Sequence, residues 1–414
     1  MHLSGQTPLF RAKNLEKHVG IAPIYLKLEG SNPTGHKNDR ITESLIQYAM
    51  DQGHQKILVY GSDPYMRSVV YFAQNKGLDL YGVKNRHTLK QQKAHPSIDW
   101  LSISKNPRMR YEETYERYAK DNGFFFLCET DNKPFIRTLS LQKMAEEIYD
   151  KVPEMTHLWT QATSGSTLYS LYHETLRQWV NQSISSLPNM ICGTTHDRLS
   201  SMSYDASLKE IMTSSKTMLL PVDPHALKET AHLIRKLENI VVSQNEAYAL
   251  SAFLNHSKTP SKEGVHVIVL NDGKSVINVK EISKQAQHDV DDLVTTTRRL
   301  LTPYQDSIEE TKDAIKTALE LGYIFTATDK HHIQGICVIV PTGFDAFIPS
   351  YHLAYIGVLK DTKGRGLATA LIQQAIEKTQ GNLSLHVDKT NKSAKKLYEK
   401  MGFIHAYDRM LYKG

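Results

Sequence analysis

The stretch I-G-V-L-K-D-T-K-G-R-G-L-A-T, residues 356–369, reads as a strand that runs into a glycine-rich turn and then a helix. Leu367, Ala370, Leu371 and Ala375 recur at helical spacing. A turn of this kind leaves backbone N–H groups free at a helix start, where the macrodipole favours an anion. Gly364 and Gly366 would let a phosphate approach the main chain, because no side chain intervenes. The anion implied is a pyrophosphate. A Gly-x-Gly turn is a weak signal alone, and its surroundings carry the reading.

Residues 391–403 read N-K-S-A-K-K-L-Y-E-K-M-G-F. Taken with the turn, they resemble the GNAT acetyltransferase family. That family carries an Arg/Gln-x-x-Gly-x-Gly/Ala loop followed by Asn-x-x-Ala-x-x-Leu-Tyr-x-x-x-Gly-Phe. Here the loop is Lys363, Gly364, Arg365, Gly366, Leu367 and Ala368, and the second motif matches at Asn391, Ala394, Leu397, Tyr398, Gly402 and Phe403. Lys363 keeps a cation but loses the guanidinium fork. The resemblance implies acetyl-CoA held by Lys363, Gly364, Arg365, Gly366, Ala368 and Asn391, with the backbone of Val358 bonding the pantetheine arm. It implies Tyr398 as the general acid on the leaving thiolate, a role suited to a phenol of ordinary pKa ~10. His352 stands about where the family often has a glutamate base, and an ordinary imidazole at ~6.5 suits that task. The plainer alternatives are a core tyrosine and a half-buried histidine.

Outward from this motif, residues 276–414 hold one complete domain of that kind. Segment 276–282 is its first strand, two helices follow up to Leu321, and 323–327 and 334–340 form an antiparallel pair. Segment 353–359 feeds the loop, 383–387 is the next strand, and two strands close the domain after the helix that begins at Asn391. In the family the two middle parallel strands splay apart and the coenzyme slots between them.

The first two thirds alternate short apolar runs with amphipathic stretches. Strands are expected at 56–60, 80–83, 100–103, 124–128 and 265–272, with helices at 66–75 and 111–120 between them. Such alternation implies a parallel sheet covered on both faces, with ligands at the carboxyl ends of the strands. Residues 31–40 read S-N-P-T-G-H-K-N-D-R, turn chemistry followed by Lys37 at the opening of a helix striped by Ile41, Leu45 and Ala49. A lysine there has the lowered pKa that a Schiff-base amine needs. The run resembles the lysine motif of fold type II pyridoxal-phosphate enzymes, the threonine synthase, cysteine synthase and serine dehydratase group. Thr7-Pro8-Leu9, I-Y-L-K-L-E at 24–29 and the long helix at 139–148 agree with that group. The resemblance implies a two-lobed, tryptophan-synthase-β-like α/β domain over residues 1–275, with Lys37 carrying pyridoxal phosphate and Ser164, Gly165, Ser166 and Thr167 cupping its phosphate. It also brings the end of the 265–272 strand near the pyridine nitrogen, where Asp272 is either that nitrogen's partner or a turn aspartate. One departure stands out. The group's Ser-x-Gly-Asn, which holds the substrate carboxylate, is replaced here by Gly61-Ser62-Asp63-Pro64, so that its Gly becomes Asp63 and its Asn becomes Pro64, with Arg67 available to offset Asp63.

Composition sets the frame. The chain has 414 residues, 40% hydrophobic and 23% charged, with a net charge of +6, which suits two or three globular domains and anionic ligands. No nucleic-acid partner is called for. Cys128, Cys192 and Cys337 are far apart, odd in number and without zinc spacing, so neither a disulfide framework nor a metal site is expected. No secretory pattern and no ~20-residue apolar run is present, so a cytoplasmic protein without a membrane partner is expected. The three tryptophans read as packing residues.

The expected activity is transfer of acetyl from acetyl-CoA to a small amine, fused to a pyridoxal-phosphate amino-acid lyase or synthase that supplies or binds that amine. Tethering would raise the effective concentration of one site's product near the other. Two alternatives stay open: an acetyltransferase with a degenerate, ligand-sensing first half, or a scaffold that only binds. The fold type II resemblance implies a homodimer.

Overall fold

The computed structural model describes residues 3–21, 23–74, 76–84, 88–104, 108–129, 134–161, 166–195, 211–212, 214, 216–256, 263–282, 289–329, 332–344, 348–362, 366–388 and 390–406. Contacts divide the chain into two compact units, Ser4–Ser275 and Val276–Gly414.

Ser4–Ser275 contains two main sheets. The smaller has four parallel strands in the order Asp99–Leu101, Asp79–Val83, Lys56–Tyr60, Phe125–Cys128. The larger has six, ordered Leu9–Arg11, Ile24–Leu28, His266–Leu270, His157–Gln161, Asn189–Thr194, Thr217–Pro221. All its pairings are parallel except Leu9–Arg11 on Ile24–Leu28. Apolar runs such as H-V-I-V-L at 266–270 are buried at every position, as a strand covered on both faces requires. One core joins Ile57, Val59 and Leu127 of the first sheet to Leu158, Met190, Val267 and Val269 of the second. Ile41, Leu45 and Ala49 of the Asn38–Asp51 helix fill it from between, the stripe expected from spacing. A second core lies under Ala226–Glu238 and Tyr248–His256. Trp159 is fully buried there, whereas Trp179, expected to pack, is 45% exposed.

Val276–Gly414 carries a five-stranded sheet ordered Asn278–Glu281, Tyr323–Asp329, His332–Pro341, Tyr351–Val358, Leu383–Leu385. Only the last pairing is parallel. Helices Val290–Leu301 and Ile308–Glu320 pack on one face through Leu293, Leu300, Ile315 and Ala318. Helices Leu367–Lys378 and Lys392–Lys400 cover the other through Leu367, Leu371, Ala375 and Tyr398. Gly357 makes the first packing possible, since a Cβ there would meet the Leu300 carbonyl oxygen at 2.6 Å. Among the described residues no strand follows Lys392–Lys400. Most of the region expected to hold the two closing strands, 407–414, lies outside them.

Candidate functional site

In Ser4–Ser275 the centre is Lys37. Gly35 takes φ +89°, a conformation glycine reaches without strain, and turns the chain into the helix. The Asp39 carboxylate locks this turn by accepting from Thr34 N–H at 2.7 Å, Thr34 Oγ1 at 2.5 Å and Ser68 Oγ at 2.6 Å. The turn is pinned to the end of the His266–Leu270 strand: Lys37 N–H donates to Asn271 O at 2.9 Å, and Gly30 N–H to Gly273 O at 2.9 Å. A Cβ at Gly30 would lie 2.1 Å from Asp272 O, so only glycine permits this approach.

The agreements with T-P-L, K-x-E and N-D-R turn out to be one buried network. Arg40 donates to both oxygens of Glu29 at 2.7 and 2.9 Å, and to both oxygens of Glu147 at 2.8 and 2.9 Å. Lys27 Nζ donates to Glu147 Oε2 at 2.5 Å and to Thr7 O at 2.9 Å, while Thr7 Oγ1 donates to Glu29 Oε1 at 2.6 Å. Two cations and two carboxylates thus neutralise each other in the interior. Burial works to raise both carboxyls, and Arg40 and Lys27 outweigh it, holding Glu29 and Glu147 below the usual range. The network fixes the helix that presents Lys37.

The Lys37 amine is buried and donates to Thr167 Oγ1 at 2.6 Å. Burial lowers its pKa, with Glu246 pulling the other way. Two expected site residues therefore meet. Ser164 and Gly165 lie outside the described residues, and Ser166 opens the helix that carries Thr167.

Glu246, on the 3₁₀ turn Gln244–Glu246, bears no sequence signal. Its Oε2 accepts from Gln161 Nε2 at 2.6 Å and Asn271 Nδ2 at 2.7 Å, and its Oε1 lies 3.6 Å from His36 Nε2. His36 Nε2, Thr160 Oγ1, Gln161 Oε1 and Asn271 Oδ1 are buried with no hydrogen-bond partner. Buried polar atoms normally find partners, so this cluster beside a buried amine fits a polar aldehyde cofactor. Asp272 is engaged elsewhere, accepting from Ser243 N–H at 3.1 and 3.2 Å.

The altered carboxylate loop is the start of a helix, Asp63–Ala73. Pro64 falls in the first turn, where its missing N–H costs nothing. Asp63 pairs with Arg67 at 3.1 Å, as the sequence suggested, and also with His95 at 3.1 Å. Ser62 N–H and Oγ donate to Glu129 at 2.7 and 2.9 Å, and Asn38 Nδ2 donates to the same carboxylate at 3.1 Å. The chain's own acid therefore sits on the amide at this helix start.

In Val276–Gly414 the parallel pairing runs only through Tyr351↔Leu383, His352↔Ser384 and Leu353↔Leu385. A bulge follows, where Val338 faces Tyr355 and Ile339 faces Leu353, leaving Ala354 extra. Beyond it, among the described residues, Ala354 to Val358 have no strand partner on that side, so the two strands fork as expected. Gly366 caps the Leu367–Lys378 helix at φ +87°, with Ala368 in its first turn. Lys363, Gly364 and Arg365 lie outside the described residues. Asn391 caps the next helix by accepting from Ala394 N–H at 3.1 Å. Tyr398 is buried, and burial followed by Cys337 pushes its phenol up to about 12. His352 lies at the far end of its strand from Val358, roughly 20 Å away at ~3.3 Å per residue. Leu353 packs against the Leu367–Lys378 helix, so His352 faces the other side of the sheet from Tyr398. His352 Nδ1 bonds Ser384 Oγ at 2.9 Å and its Nε2 bonds His386 Nδ1 at 3.0 Å, just where the strands part. Nothing in the sequence marks His386.

Comparison with known proteins matches a family to each part of the chain. Residues 1–258 match the pyridoxal-phosphate dependent enzyme family, and residues 291–403 match the acetyltransferase (GNAT) family. Over 36 residues the chain is 58% identical to a threonine synthase of Methanocaldococcus jannaschii, 9% of each protein. Over 54 residues it is 46% identical to an O-acetylserine dependent cystathionine beta-synthase of Bacillus subtilis, 13% of this chain and 17% of that one. These matches thus span well under two thirds of either relative. Among solved structures, cysteine synthase from Entamoeba histolytica superposes with a TM-score of 0.53 at 14% identity, covering 75% of this chain and 93% of that one. Serine racemase from Dictyostelium discoideum does so with a TM-score of 0.53 at 13% identity, covering 65% and 92%. At such identities the likeness establishes the fold alone. The two families imply pyridoxal phosphate for the first part and acetyl-CoA for the second. The chain belongs to the pyridoxal-phosphate dependent enzyme family of fold type II and carries a GNAT acetyltransferase domain at its C-terminal end.

Proposed function

We propose that this protein is a bifunctional enzyme of two domains, 1–275 and 276–414, that acetylates a small amine and uses its first domain to make that amine from an amino acid. Pyridoxal phosphate, when bound, supplies an electron sink for elimination or replacement on an amino acid. Lys37 would hold it and Thr167, with the 164–166 stretch, would seat its phosphate. In the second domain the neutral amine attacks the thioester carbonyl carbon. The C–N bond forms, the C–S bond breaks, Tyr398 gives the departing sulfur a proton, and His352 takes the proton shed by the amine, directly or through water. Val358, Lys363, Gly364, Arg365, Gly366, Ala368 and Asn391 would hold the coenzyme.

The observation that supports an active first domain is the buried Lys37 amine, lowered in pKa and set against Thr167. A chain with no use for that amine gains nothing from desolvating it. The test is the absorbance spectrum of freshly purified protein, with and without borohydride, alongside thiol release from acetyl-CoA over an amine panel. A colourless protein that takes up no cofactor would refute the bifunctional reading.

A second reading is favoured by Glu129. Its carboxylate already sits on Ser62 N–H, where a substrate carboxylate would be held in this fold family, and this suits a first domain that senses a ligand without turning it over. Under either reading we place the protein in the cytoplasm as a homodimer; no described helix is long and apolar enough to cross a membrane.

A further inference from the structure

The Lys37 centre is rich in acceptors. Gln161 and Asn271 leave the ends of neighbouring strands and give their amide hydrogens to the same oxygen of Glu246. Those two bonds fix both carboxamides, because a flipped amide would set oxygen against oxygen. Each is then left with a buried oxygen that has no donor, Gln161 Oε1 and Asn271 Oδ1. His36 Nδ1 accepts from Asn38 N–H at 3.1 Å, so in the neutral ring the proton is on Nε2, 3.6 Å from Glu246 Oε1. Glu246 is anionic: burial works to raise its carboxyl, and His36, Asn271 and Lys37 outweigh it. It is also the foremost charge acting on Lys37. A carboxylate flanked by two amide oxygens asks for an N–H donor and disfavours a bare ring nitrogen, which is itself an acceptor. Asp272, the acid suggested by sequence, is occupied by Ser243 and is raised in pKa by burial.

We propose that Glu246 accepts a hydrogen bond from the protonated ring nitrogen of pyridoxal phosphate in this chain, with Gln161 and Asn271 as positioning residues, so that the ring is held as a pyridinium. The proposal rests on the reading that Lys37 carries the cofactor. A pyridinium withdraws more charge than a neutral pyridine, so Glu246 sets how strong an electron sink the cofactor becomes.

The experiment loads the full chain with pyridoxal phosphate labelled with ¹⁵N in the ring and reads the ¹⁵N chemical shift. Expected are a pyridinium shift in the parent protein, a neutral-pyridine shift in Glu246→Gln, and no change in Asp272→Asn. Should Glu246→Gln fail to fold, the parent shift and a cofactor Kd about tenfold weaker in Gln161→Ala decide the matter, an amide bond to a charged group being at stake. A neutral nitrogen in the parent, or the same shift in Glu246→Gln, overturns this proposal alone. A chain that takes up no label overturns it together with the Lys37 reading.

Discussion

Lys37 and Thr167 stand 130 residues apart in the chain, and the Lys37 amine donates to the Thr167 hydroxyl at 2.6 Å. The bond crosses from one helix start to another and holds the amine at the carboxyl ends of the parallel strands. Removing its acceptor while keeping side-chain shape, as in Thr167→Val, leaves a buried amine short of a partner. Cofactor affinity is expected to fall about tenfold, read by fluorescence titration.

The pH dependence of cofactor capture follows from the same amine. Burial disfavours the ammonium, so the folded pKa lies below the ordinary lysine value of ~10.4. The rate of borohydride-fixable coupling should rise with pH and level off before that value is reached. Lys37→Ala should abolish fixation. A midpoint at or above the ordinary lysine value would contradict the assignment.

The buried network of Lys27, Glu29, Arg40 and Glu147 should make the first unit acid-labile. Both carboxyls are depressed in the folded state. Their contribution is therefore complete above the unfolded glutamate value of ~4.3 and is lost as pH falls through the lower folded values. Urea melts between neutral pH and pH ~3 should show the loss. Glu147→Gln, which leaves Lys27 and part of Arg40 unpaired, should cost about 3–5 kcal/mol.

Glu129 is expected to compete with ligand carboxylates for Ser62 N–H. Glu129→Ala should tighten binding of simple amino acids about tenfold, the worth of one charged hydrogen bond. The shift of the cofactor's visible band on titration measures it. Unchanged affinity would mean that ligands bypass this helix start.

In the acetyltransferase domain Tyr398→Phe should lower kcat about 10²-fold with little change in KM, as loss of a general acid requires. With the phenol pushed up to about 12, Tyr398 stays protonated, so the parent should show no alkaline limb from this residue below pH ~11. Gly366→Val strains a φ of +87° by about 1–2 kcal/mol and should weaken coenzyme binding in calorimetry.

Much of the fold is legible in the residues themselves. The stripe Ile41, Leu45, Ala49 and the run 56–60 mark their elements, because helix and strand periods arise from neighbouring residues. The helix expected from Met66 begins three residues earlier, at Asp63, because Pro64 falls in the first helical turn, where its missing N–H is no loss. The pairing of Asp63 with Arg67 is visible because four residues make one helical turn; the second partner, His95, is not. Trp179 carries a packing expectation that only a neighbouring element could satisfy, and none covers it fully.

The sequence by itself marked the helix after Lys37, strands such as 56–60 and 124–128, and turns suited to a phosphate or a reactive lysine, for those depend on contacts a few residues long; the strands His157–Gln161, Asn189–Thr194 and Thr217–Pro221 carried no such mark. Only the tertiary structure decided that Glu246 meets Gln161 across 85 residues and that Glu129 reaches Ser62 across 67. The His266–Leu270 strand enters between Ile24–Leu28 and His157–Gln161, and that crossover, which no local period encodes, brings Asn271 to Lys37 and to Glu246. Side-chain convergence is set by the order in which strands pair, and that order is decided by burial of the whole core at once.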